Sequence, residues 1–190
     1  NWLAPGVHAS YQLMYDDSSS EIFMRVTSPN MDHDYFATRF TPPSADTTAY
    51  PLAIQTANVY MERNDPLPNV WLCPDVGGVP DMNNPLMNWQ DIGADATPGW
   101  LIAHTDGAVL LDDDSDFWMV WQFPPGITGP GTGTDWSAPD SRSYWTYDGT
   151  PGVWNQWTSG DWMARIWVGG EPGWGLVMSV GSPSGYSIER

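Results

Sequence analysis

Short apolar runs return roughly every ten residues along the chain, each bounded by Pro, Gly, Asn or Asp. That rhythm predicts strands at 11–15, 22–27, 35–40, 52–61, 69–73, 87–92, 100–104, 109–111, 117–123, 143–147, 153–157 and 163–168. Several alternate with the period of two that half-buries a strand. In the last, Trp162, Ala164, Ile166 and Val168 share one face, and Met163, Arg165 and Trp167 share the other. The run from Phe117 to Phe123 is apolar on both faces and reads as a central strand, covered on both sides or capped by a loop. No window carries a helical 3.6-residue pattern over ten residues. The pattern therefore predicts an all-β, antiparallel β-sandwich with long loops and negligible helix.

Two stretches punctuate this order. Residues 124–139 are rich in Gly, Pro and Thr and read as one long loop. Gly169-Gly170-Glu171-Pro172-Gly173 reads as the end of the sandwich, giving a domain over 1–170 and a C-terminal extension over 171–190. The extension holds one further apolar run with Trp174, Leu176, Val177, Met178 and Val180. A single strand past a Gly-Pro hinge builds no core of its own, so it folds back or pairs with something else.

Composition supports the β reading. The acids are 19 Asp but only 4 Glu, and there is no Lys, a charge set suited to turns and not to helix interiors. With 10 Leu against 13 Trp, indoles must supply much of the core volume. The formal net charge of −17, with six scattered Arg, excludes nucleic acid as a partner, because counterion displacement needs clustered cations. Acidity serves solubility, or attracts divalent cations or basic partners. No run approaches the length of a membrane span. Cys73, the one cysteine, excludes an internal disulfide or a Cys-based zinc site and reads as a small buried apolar residue. A first residue other than Met is read as signal-peptide removal or excision from a longer chain, hence an extracellular or cell-surface location.

Four stretches carry a family likeness: Tyr15-Asp16-Asp17; the strand from Tyr35 to Phe40 with its exit Thr41-Pro42-Pro43; Val70-Trp71-Leu72-Cys73 followed by the turn Pro74-Asp75-Val76-Gly77-Gly78-Val79-Pro80; and Ser141-Arg142-Ser143-Tyr144-Trp145 with Trp154 and the segment from Gly160 to Ile166. In this order they resemble the jelly-roll-like β-sandwich module of large secreted or surface bacterial proteins, where it is appended to peptidases, adhesins and sorting-domain proteins. The resemblance covers 15–168. It implies adhesion, spacing or assembly and brings no common catalytic residues.

Candidate chemistry is sparse. Asp112, Asp114 and Asp116 stand at i, i+2 and i+4, as in a calcium loop, but Phe117 occupies the place an EF-hand gives to Gly and no Glu closes it. They are candidate calcium ligands at a sandwich edge, or a solvated acidic turn. His8, His33 and His104 lie far apart, and no nucleophile elbow, metalloprotease or phosphate-loop motif occurs, so no enzyme is expected. Aromatics crowd one stretch: Trp136, Trp145, Tyr147, Trp154 and Trp157 are candidate sugar-stacking residues, or core packing. Two functions remain open. One is a non-catalytic structural, adhesion or assembly module, self-associating or joining neighbouring domains through its C-terminal strand. The other is a carbohydrate-binding module of a secreted enzyme.

Overall fold

Strands that alternate leave one face each to bury, and two facing sheets bury both. The computed structural model describes residues 11–24, 35–46, 48, 50–62, 68–90, 92, 98–122, 131–137, 139–146 and 153–170. They form thirteen strands and no helix, so none crosses a membrane as a helix.

In sheet I, β1 (Tyr11–Met14), β13 (Ala164–Gly170), β4 (Leu52–Met61) and β7 (Gly99–Leu111) lie side by side. At one end of β4 the sheet continues through β9 (Thr132–Asp135), flanked by β2 (Ile22–Met24) and β12 (Asp161–Trp162). Sheet II runs β11 (Asn155–Gln156), β10 (Ser143–Thr146), β3 (Tyr35–Phe40), β8 (Phe117–Gln122), β5 (Asn69–Pro74) and β6 (Met87–Trp89). All pairings are antiparallel. The chain changes sheet from β3 to β4, from β4 to β5 and from β7 to β8, which makes the expected antiparallel sandwich.

The core between the sheets follows the alternation. Leu52, Ile54, Ala57 and Val59 of β4 meet Leu101, Ala103, Val109 and Leu111 of β7 and Ala164, Ile166 and Val168 of β13 on the inward side. Trp121 and Trp162 fill the volume that leucines would otherwise occupy, with Phe36 between them at ring distances of 6.0 and 5.3 Å. Burying an indole requires an acceptor for its N–H. Trp121 donates to Thr132 Oγ1 at 3.1 Å and Trp162 to the Tyr144 carbonyl at 3.0 Å.

Every residue of β8 is buried, as its two-sided apolar pattern predicts. Trp118 and Val120 point away from the main core, into a second cluster with Ala37 and Cys73. The segment between β5 and β6 roofs it. Asp81 N donates to the Pro74 carbonyl, Leu86 N donates to the Leu72 carbonyl, and Asp75 accepts the Trp118 indole N–H at 2.8 Å. Met82, Tyr144 and Trp154 pack over the same cluster. Cys73 is buried there with its thiol 3.5 Å from Met82 Sδ, and burial, helped by Asp81, pushes its pKa up to about 12.

Three expectations need correction. The stretch 124–139 is not all loop, because Thr132–Asp135 form the wholly buried β9. Its Gly-Thr alternation hides a strand whose glycine is needed for close packing: a Cβ on Gly133 would meet Tyr60 Cδ1 at 2.7 Å and Met163 Sδ at 3.1 Å. The runs 100–104 and 109–111 are one strand, β7, bulged between His104 and Val109 where Asp106 and Gly107 take φ of 52° and 72°. Thr105 ties that bulge down by donating to the Ile54 and Gln55 carbonyls. The apolar run 163–168 also extends further, as β12 and β13, with Met163 between them bonded to Gly133. Residues 171–190, including the expected C-terminal strand, lie outside the described residues.

Replacing Gly133 by Ala should destabilise the fold by about 1–3 kcal/mol, the usual cost of overpacking. A urea midpoint equal to that of the wild type would contradict this packing.

Candidate functional site: the outer face of sheet I

The two sheets end differently. Sheet II has its outer face covered by its own loops, whereas on the outer face of sheet I the segment after β1 reaches Arg165 through Asp16 and several large side chains stay exposed. Large apolar side chains stand on it at substantial exposure: Met14 39%, Ile102 39%, Trp167 41% and Leu110 45%. These apolar side chains are interleaved with polar ones, which gives the face a mixed character.

Register assembles the face into rungs. Gln12 of β1 faces Trp167 of β13, which faces Thr56 of β4, which faces His104 of β7. Two residues along, the next rung is Met14, Arg165, Asn58 and Ile102. Tyr60 and Trp100 form a third, with ring centroids 5.3 Å apart, and Phe23 stacks on Tyr60 at 5.7 Å. Arg165 is the cation of this face and it is already engaged. Its guanidinium forms a two-point ion pair with buried Asp16, with Nε 3.1 Å from Oδ2, and lies 4.4 Å over the Trp100 ring. Breaking such a buried pair costs about 3–5 kcal/mol, so the pair fixes β13 against the segment after β1.

Two oxygens of the rungs lack donors. Thr56 Oγ1 and Asn58 Oδ1 are buried with no hydrogen-bond partner, and Asn58 as a whole is only 8% exposed. A buried acceptor left unsatisfied costs about 1–3 kcal/mol. The alternation of Arg165 and Trp167 is visible in the sequence, but the rungs that set Thr56, Asn58 and His104 beside them depend on pairings across the whole chain.

The sequence candidates are dispersed. Trp136 is 51% exposed at the end of β9. Trp145 is half-buried against the main core, Trp157 stacks on Trp162 at 5.0 Å, and Trp154 lies 6.5 Å from Trp118 over the second cluster. These three therefore serve packing, although the indole N–H groups of Trp154 and Trp157 are buried without an acceptor. Tyr147 lies outside the described residues, as do Trp174, Leu176, Val177, Met178 and Val180.

The aspartates of 112–116 hold neighbouring chain. Asp116 accepts from Thr41 Oγ1 and lies 3.5 Å from Arg39 Nε and 3.7 Å from Arg142, and Asp114 accepts from Ala45 N at 3.0 Å. Among the described residues, the carboxylates that converge are Asp17, Glu21 and Asp135, with oxygens within 4.8 Å of one another. Protein donors already serve them: Asp17 N and Ser137 N donate to Asp135, Trp136 N donates to Glu21, and Ser19 donates to Asp17. The spacing of 118 residues between Asp17 and Asp135 kept this group out of any sequence motif.

No family model and no curated protein matches the chain. One solved structure does, described as the cysteine protease and lectin-like domains of Cwp84, a surface layer associated protein of Clostridium difficile. It is 11% identical, with a TM-score of 0.54, over 87% of this chain and 36% of that one. This chain thus spans about a third of that protein's length, and the likeness is one of fold.

Buried Asp161 and its neighbour across the ladder, Asp135, titrate in opposite senses. Burial pushes the Asp161 carboxyl up against hydrogen bonds from Asp140 N and Ser143, with the charges of Asp140 and Asp135 adding to the rise. Burial also works against ionised Asp135, but bonds from Ser137 and Asp17 outweigh it and hold that carboxyl low. The contribution of Asp161 is therefore fully present below its unfolded pKa of about 4 and is lost as pH rises through the raised value. That of Asp135 is present above its unfolded pKa and is lost as pH falls through the lowered one. Asp161→Asn removes only the first. From about pH 4 to 7 its melting midpoint should fall less, or rise more, than that of the wild type; identical pH slopes would contradict the assignment.

Proposed function

We propose that the chain is a non-catalytic extracellular module of a surface protein, serving adhesion or assembly through sheet I. The observation that supports this most is the asymmetry of the sandwich, with one outer face roofed by the protein's own loops and the other, among the described residues, carrying exposed Met14, Ile102, Leu110 and Trp167. Sheet I also ends in edge strands. Beyond β4, β7 has no strand partner among the described residues, and the Trp89 indole reaches it at the His104 carbonyl. An open edge is completed by strand addition, with backbone bonds giving affinity and alternate side chains giving specificity. Residues 174–180 have the alternation such a strand needs, with Trp174, Leu176, Met178 and Val180 in one phase. In this reading the segment pairs with the β7 edge of a neighbouring copy, and a contact of that kind propagates into a filament unless it closes.

A second reading, carbohydrate binding, is favoured by the structural neighbour. An all-β chain aligned with 36% of a protein described as protease and lectin-like domains takes the lectin-like part as its counterpart.

Deleting 171–190 should leave the melting transition in place and abolish self-association in sedimentation velocity. A truncated chain that associates like the full one would refute assembly through the C-terminal segment.

A further inference from the structure

We propose that Trp89 is a latch on the β7 edge of sheet I. Its indole N–H holds the His104 carbonyl that an added strand needs, so a second copy joins there only when the indole lets go. This rests on the assembly reading and supplies what restrains it.

The ladder decides which groups of β7 face the edge. In an antiparallel pair the N–H and C=O of one residue share a side, and alternate residues take opposite sides. Tyr60 N donates to the Met163 carbonyl, on the β13 side of β4. Thr56, Asn58 and Tyr60 therefore bond toward β13, while Ala57 and Val59 bond toward Ala103 and Leu101 of β7. That turns the N–H and C=O of Trp100, Ile102 and His104 to the edge. The straight stretch ends at His104, because the bulge with Asp106 and Gly107 follows it.

Of these outward carbonyls, that of His104 already has a donor, the Trp89 N–H at 3.0 Å. Trp89 belongs to the other sheet: it lies on β6 opposite Val70, with its ring packed against the main core. The indole thus crosses from sheet II to hold the oxygen to which an added strand, about 4.8 Å from β7, would bring its own N–H. The joining strand is residues 174–180 of a second copy, which carry no charge and are long enough to cover Gly99–His104. Strand addition then exchanges one hydrogen bond for another at His104 and gains nothing there.

The test is sedimentation of the full chain over a range of concentrations, with melting curves to show that each variant is folded. Trp89→Phe keeps a ring in the core and removes the donor, so it should tighten self-association about two- to tenfold. Ile102→Pro removes an edge-facing N–H and leaves the β4 ladder and the Trp89 bond in place, so it should abolish association in both backgrounds. Deleting 171–190 from the Trp89→Phe chain should return it to monomer. By NMR, the Trp89 indole N–H of the wild type should shift as the chain associates, because the bond to His104 is released.

A folded Trp89→Phe chain that associates no more tightly than the wild type overturns the latch and leaves the assembly reading standing. Should that variant fail to fold, an indole resonance that stays put through association overturns the latch by itself. Association that survives Ile102→Pro overturns both the latch and assembly at the β7 edge. A Trp89→Phe chain that still associates without 171–190 overturns the choice of occupant. If neither the wild type nor Trp89→Phe associates at any concentration, the latch and the assembly reading fall together.

Discussion

Burial of β8 on both faces is the constraint from which the rest of the architecture follows. A strand reading Phe-Trp-Met-Val-Trp-Gln has no side to give to water, so sheet II needs cover beyond sheet I. The chain supplies it from the segment between β5 and β6 and from Trp154. The Trp118 N–H, which would otherwise be stranded in apolar surroundings, is satisfied by Asp75 at the base of that roof. Sheet I has no comparable roof among the described residues, and Met14, Ile102, Leu110 and Trp167 stay exposed on it.

That face is not a generic apolar surface. Among the described residues its cation Arg165 is paired, its aromatics are partly stacked on one another, and two of its oxygens are left without donors. The two unpaired oxygens are buried within the face, where each costs about 1–3 kcal/mol. The edge strand β7 and the exposed Trp167 belong to the same sheet.

The architecture was largely legible in the residues. The strands at 35–40 and 52–61 were read to the residue, because their ends carry turn chemistry, although the irregularity at Gln55 in the second left no mark in the sequence. The double burial of β8 followed from its lack of any polar phase. β9 was missed because glycine and threonine carry little local signal: Thr132 and Thr134 are buried by neighbours from β2, β4 and β12, and Gly133 is set by the Tyr60 ring. The candidate site was legible only in half. Trp167 and Arg165 could be placed on one face of one strand, but Thr56 and Asn58 join them through register across more than a hundred residues, and His104 joins through Thr56. Crowding of tryptophans along the sequence pointed instead to Trp145, Trp154 and Trp157, of which Trp145 and Trp157 pack against the main core and Trp154 against the second cluster.

The roof over sheet II makes the single cysteine a reporter. Cys73 lies beneath Met82 with no exposure and with its thiol held protonated well above neutral pH. A thiol reagent can therefore reach it only when the segment between β5 and β6 lifts, or when the whole domain unfolds. The rate of labelling in native buffer then measures the free energy of that lifting. Compared with the global unfolding free energy, it tells whether the roof is a separate cooperative unit or melts only with the sandwich beneath it.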